Sequence, residues 1–217
     1  MTNEGKLFDI YSEALLEWNE KFNLTAITDP EEIRLKHFED SLAILQTIQL
    51  TNQSIIDIGA GAGFPGIPLK IKCPNIKLTL LEATKKKVEF LRHIVALLKL
   101  QDVKIISGRA EDIAREQRGL FDLAVSRAVA KLNILCEYCL PFVKVGGQFI
   151  AYKEEEVEDE VKEANNAIEI LGGKLKEIKK VSLPNSNIIR SLVIIEKISP
   201  TPHKYPRRTG MAKKRPL

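Results

Sequence analysis

The segment DIGAGAGFPGIP, residues 57–68, constrains this chain more than any other part of it. It follows a short apolar run, residues 54–58, and precedes a stretch of helical pattern, so three glycines stand where a strand hands over to a helix. Gly59, Gly61 and Gly63 allow a tight turn and let a ligand approach with no Cβ in the way. Glu82 closes the next apolar run, roughly 20 residues after Gly59, where a carboxylate is suited to accept hydrogen bonds from ribose hydroxyls.

Two cofactor classes use such a loop. A dinucleotide site wants a third glycine at position 64, which is Phe64, and an acid directly before the loop would repel a diphosphate. S-Adenosylmethionine carries an ammonium and a cationic sulfonium, which Asp57 at the strand end would complement. Asp57, Gly61, Gly63 and Glu82 therefore point to a methyl donor, with an NAD(P)-dependent oxidoreductase as the weaker alternative.

The surrounding pattern sets the fold. Strands are expected at 54–58, 77–82, 103–107, 121–126 and 146–152, with helical periodicity at 84–99 and near 131–141. Such alternation implies right-handed crossovers and a parallel sheet covered on both faces. After a charged helix over 154–171, the runs 174–183 and 189–197 are joined by the turn formers Pro184-Asn185-Ser186-Asn187 and should pair antiparallel. The expectation is an α/β fold with a seven-stranded, mostly parallel sheet ending in an antiparallel hairpin. Before the sheet, residues 4–20 have helical spacing, and a second helix should start behind Thr28-Asp29-Pro30 and run to about Leu50. This divides the chain into a helical extension (1–50), a sheet domain (51–200) and a tail (201–217).

Composition excludes other classes. Of 217 residues, 44% are hydrophobic and 29% charged, which fits a globular chain rather than a disordered one. No apolar run approaches the ~18 residues of a membrane helix. The acidic opening MTNEGKLFDI lacks a signal-peptide core, and three cysteines cannot form a closed disulfide framework, so a cytoplasmic protein is expected. The net charge of +4 hides a division. Residues 1–196 balance at −3, while seven bases and no acid lie beyond Glu196. That tail, with Lys204, Tyr205, Arg207 and Arg208, is a candidate handle for RNA phosphates.

The stretches WNEKFNLTAI (18–27), HFEDSL (37–42), DIGAGAGFPGIPLKI (57–71), SGRAEDI (107–113), SRAVAKL (126–132) and TPHKYPRRTG (201–210) resemble, in this order, the RsmG (GidB) family of ribosomal RNA guanine-N7 methyltransferases. The resemblance implies a class I methyltransferase fold with an N-terminal helical extension. It also implies S-adenosylmethionine as methyl donor, and 16S rRNA, free or in the small ribosomal subunit, as acceptor. Carried over by motif, Gly59 and Phe64 are donor contacts, Ala110 and Glu111 lie beside the adenine, and Arg127 is the remaining donor-site position. Lys153-Glu154 and Ala212 depart from the family's usual Lys-Gly and Pro.

The motifs that other methyl acceptors require are absent. Ser126-Arg127-Ala128-Val129 stands where amine methylation uses an (N/D)PP(Y/F) cluster, and Cys73 is followed rather than preceded by proline. Guanine N7 has an in-plane lone pair and no proton, so its enzyme has mainly to position it. No general base is expected, and Arg127 is the candidate orienting residue. No metal site is expected, because Cys136 and Cys139 form an isolated pair on an apolar helix face and read as packing. His37 and Asp40 share a helix face that is either substrate-facing or bonded to the sheet domain. His93 reads as structural, Asn23 as a turn residue, and Lys85, Lys86 and Lys87 as a solvated face or a phosphate contact. Nothing calls for a membrane or an obligate protein partner. A nonenzymatic RNA-binding module is the remaining alternative.

Overall fold

A computed structural model of the protein describes residues 3–217. Seven strands form one sheet: β1 Ser54–Ile58, β2 Lys77–Glu82, β3 Val103–Ser107, β4 Phe121–Arg127, β5 Val143–Glu154, β6 Gly173–Ser182 and β7 Ile189–Lys197. Their order is β3-β2-β1-β4-β5-β7-β6. The first five strands are parallel, and β7 joins antiparallel to both β5 and β6. Reversal of strand order between β1 and β4 makes the switch point at which open α/β sheets bind ligands.

Side-chain parity divides the core in two. Ile55, Leu78, Leu80, Val125 and Ile150 face one layer, and Ile56, Ile58, Leu81, Ala124 and Phe149 the other. The first layer is covered by α1 (Asn3–Phe22), α2 (residues 30–46), α3 (Gly66–Lys72) and α4 (Lys85–Leu97). Tyr11, Ala14 and Leu15 are the buried stripe that α1 lays on it. The second layer is covered by α5 (Ala110–Ile113), α6 (Leu132–Cys139), α7 (Glu158–Ile170) and the tail, whose Tyr205 and Ala212 are buried there.

Several boundaries differ from the sequence reading, among them the start of β5, which lies at Val143 rather than 146. Segment α2 starts as expected, with Asp29 capping the Glu32 amide and Pro30 in the first turn, but ends at Gln46. It is also irregular, with a π turn at Arg34–Glu39 and a closing 3-10 turn at Ala43–Gln46. Strand β5 runs through Glu154 because Lys153 and Glu154 pair with Ser191 and Arg190 of β7, and Arg190 binds the Glu154 carboxylate at 2.5 Å. Helix α7 therefore starts at Glu158, where three acids complement the helix dipole.

Candidate active site

The C-terminal ends of β1, β2 and β4 enclose a cavity of about 470 Å3. The glycine loop forms its floor, Glu82 to Thr84 and Gly108 to Glu111 one side, and Arg127 to Val129 the other. Thr25 and His37 enter from the N-terminal segment and Lys213 from the tail.

Gly59 and Gly61 hold φ of +72° and +60°. A Cβ on Gly61 would meet only the Gly59 carbonyl oxygen at 3.8 Å, so the loop offers bare backbone to open space. A Cβ on Gly59 would come within 2.6 Å of Val129. Gly63 faces the other way, since its Cβ would strike Ile67 and the Tyr11 hydroxyl, and it does not line the cavity. That hydroxyl donates to the Ala62 carbonyl at 2.5 Å, fixing the underside of the loop to α1.

Glu82 is buried at the cavity edge. Its Oε2 accepts the Gly61 amide at 3.0 Å and its Oε1 the Thr84 amide at 2.7 Å, so it braces both the loop and the start of α4. Each oxygen keeps a lone pair for a ligand hydroxyl. Ala110 and Glu111 line the same side, and Glu111 accepts the Gly210 amide of the tail at 3.0 Å. Lys87 also lines the cavity, whereas Lys86 lies over the Phe22 ring.

The structure corrects the reading of Asp57. Strand parity sends its side chain below the loop, away from the cavity, where it is fully buried and Oδ2 accepts the Gly66 amide at 2.8 Å. Its Oδ1 has no hydrogen-bond partner. Burial pushes its pKa up to about 7, against the pull of the Gly66 amide and Arg127. Asp57 is a loop support that does not line the cavity.

Arg127 lines the cavity, but its terminal nitrogens are committed. Nη1 donates to Asp40 at 2.8 Å and to the Lys36 carbonyl at 3.0 Å, and Nη2 faces His37 Nδ1 at 3.2 Å. Arg190 closes the other side of Asp40 at 3.0 Å. The guanidinium lies 5.1 Å from the Phe64 ring centre, and His37 stacks on that ring at 4.5 Å. Burial, and then the Arg127 charge, lower His37 to about 4, so its imidazole is neutral at physiological pH. Arg127, the candidate orienting residue, thus ties the end of β4 to α2 while it lines the cavity. Nothing local in the sequence reveals that partnership, because its members lie 87 to 91 positions apart.

The tail is corrected in part. Tyr205 is buried, and Arg207 grips the buried Glu137 of α6 through Nε and Nη2, at 2.6 Å for the latter. Both are anchors. Lys204 and Arg208 remain exposed and line a concave surface with Arg115 and His203. Cys136 and Cys139 are buried in the core, with thiols pushed up by burial. His93 packs on Trp18 at 5.0 Å, and Asn23 takes a left-handed turn conformation with φ of +48°. Among the described residues no helix is long and apolar enough to cross a membrane, and no cluster of metal-ligating side chains occurs.

Comparison with known proteins agrees with this geometry. Solved structures share the fold: M. jannaschii TYW2 in complex with AdoMet has a TM-score of 0.58 at 22% identity, covering 74% of each chain. A Haloferax volcanii methyltransferase bound to the Trm112 activator has a TM-score of 0.62 at 15% identity, covering 85% of this chain and 98% of the other. Closer relatives are proteins named ribosomal RNA small subunit methyltransferase G. That of Alkaliphilus metalliredigens is 53% identical over 95% of this chain and 88% of its own length. That of Thermoanaerobacter sp. is 49% identical over 97% and 89%. Residues 4–189 match the family described as GidB, rRNA small subunit methyltransferase G, and the chain belongs to that family.

Proposed function

We propose that the protein transfers a methyl group from S-adenosylmethionine to N7 of a guanosine in 16S rRNA of the small ribosomal subunit. The observation that carries this reading is the cavity at the switch point, lined by Gly59 and Gly61, with open backbone at Gly61 and a carboxylate, Glu82, beside it. Those features suit an adenosine ribose over β2 and a methionine end over β1 and β4. The donor, when bound, supplies an electrophilic methyl whose bonding pair stays with sulfur as the N7 lone pair forms the new bond.

The side chains around the cavity support an acceptor atom that needs no deprotonation. His37 is neutral, with both ring nitrogens engaged, and Asp40 is held by two arginines. Glu82 and Glu111 brace backbone amides. What the residues supply is orientation: Phe64, His37 and Arg127 make a rigid wall on the β4 side. The concave surface with Arg115, His203, Lys204 and Arg208 is the proposed contact for RNA phosphates.

Titration calorimetry with S-adenosylmethionine and with NAD, followed by mapping of methylated positions in rRNA from cells with and without the gene, tests the proposal. Donor binding and loss of one N7-methylguanosine are expected. NAD binding without donor binding would overturn it, and binding of RNA without any methylation would favour a nonenzymatic module.

A further inference from the structure

The direction of the hydrogen bond that Thr25 offers the cavity is fixed by its neighbours. The Lys36 carbonyl beside the His37 ring is taken by Arg127 Nη1 at 3.0 Å, and a guanidinium has donors only, so Arg127 Nη2 at 3.2 Å from His37 Nδ1 is met by a lone pair on that nitrogen. The neutral imidazole then carries its proton on Nε2, which lies 2.8 Å from Thr25 Oγ1, so the ring donates and the hydroxyl accepts. The Ile27 amide donates to the same oxygen at 3.1 Å. Both lone pairs of Oγ1 are taken, and the hydroxyl has only its proton left to give. Among the described residues none accepts it, and Thr25 is a half-buried cavity residue.

Thr25 also stands on the side where an acceptor would enter. Through His37 it is coupled to the Phe64 and Arg127 wall at β4, across from Glu82, Ala110 and Glu111. Guanine presents two acceptors, N7 and O6, side by side on one edge, whereas adenine presents N7 beside an amino donor. We propose that the Thr25 hydroxyl selects the purine, donating to guanine O6 while N7 faces the methyl group. It would meet the adenine amino group with a second proton. His37 and Arg127 act as positioning residues that hold the hydroxyl in its donor orientation. The proposal rests on guanine being the acceptor.

The test is nucleotide binding to the full chain loaded with S-adenosylhomocysteine. GMP and IMP, which share O6 and the N1 proton, should bind alike, and the ribotide of 2-aminopurine, which lacks both, roughly tenfold more weakly, with the part due to O6 read from its loss in the Thr25 variant. In Thr25→Val the difference should fall to within about twofold, and in Thr25→Ser it should persist. Donor affinity and melting temperature, measured alongside, report the integrity of each variant. A wild-type protein indifferent to O6, or a Thr25→Val variant that still distinguishes the ribotides, would overturn the assignment. Methylation of unmodified small subunits by the wild-type protein is scored separately, so that loss of the functional reading and loss of the Thr25 role are told apart.

Discussion

Asp57 shows how far a single residue's surroundings can depart from its motif. Its position before the glycine loop was legible in the sequence, but its role was not, because a one-residue change of strand parity decides whether a side chain meets the ligand or the core. A carboxylate with its pKa raised from 3.8 to about 7 binds more protons folded than unfolded between those values. Its contribution to stability is therefore greatest below about pH 4 and declines as pH rises to 7, at a cost of about 4 kcal/mol. Lowering of His37 works in the opposite sense between about 4 and 6.5, so the readout is the difference between wild type and Asp57→Asn. Denaturation across that range should find the variant gaining on wild type as pH rises; parallel curves would mean that Asp57 is not the titrating group. Arg127→Ala uncovers one side of the buried Asp40, which Arg190 still holds. A loss of about 3 kcal/mol in urea denaturation is expected, together with loss of turnover. Full stability in that variant would free Arg127 from the structural role.

At the scale of elements, the strands and their order were readable because apolar runs and glycines report local backbone needs. The partnerships across the molecule were not. Glu137 looks like one more charge on a predicted helix, and its burial becomes intelligible only once Arg207, 70 positions later, is seen to bind it. The tail is thus a clasp as well as a basic surface. It pairs Glu137 with Arg207, brings the Gly210 amide to Glu111, and places Thr201 beside the buried Lys197. Removing residues 201–217 would leave these groups without their partners, at a cost of several kcal/mol. That truncation should weaken donor binding, measured by calorimetry, as well as RNA binding. A truncated protein with unchanged melting temperature and donor affinity would contradict the clasp.

For the whole molecule, residues 1–196 balance at −3 and the positive excess belongs to the residues after Glu196. Association with RNA should therefore involve few phosphates and a shallow dependence on salt. Lys204→Ala with Arg208→Ala is expected to reduce the slope of log affinity against log salt by roughly 1 to 2 and to leave donor affinity unchanged. An unaltered slope would move the RNA surface elsewhere. The sheet edge and the terminal segments also divide the cavity between them: loops after β1, β2 and β3 line one part, and Thr25, His37 and Lys213 another. The two parts can therefore be altered separately: a substitution at Thr25 changes what the acceptor side recognises while the backbone at Gly61 and the Glu82 carboxylate stay in place.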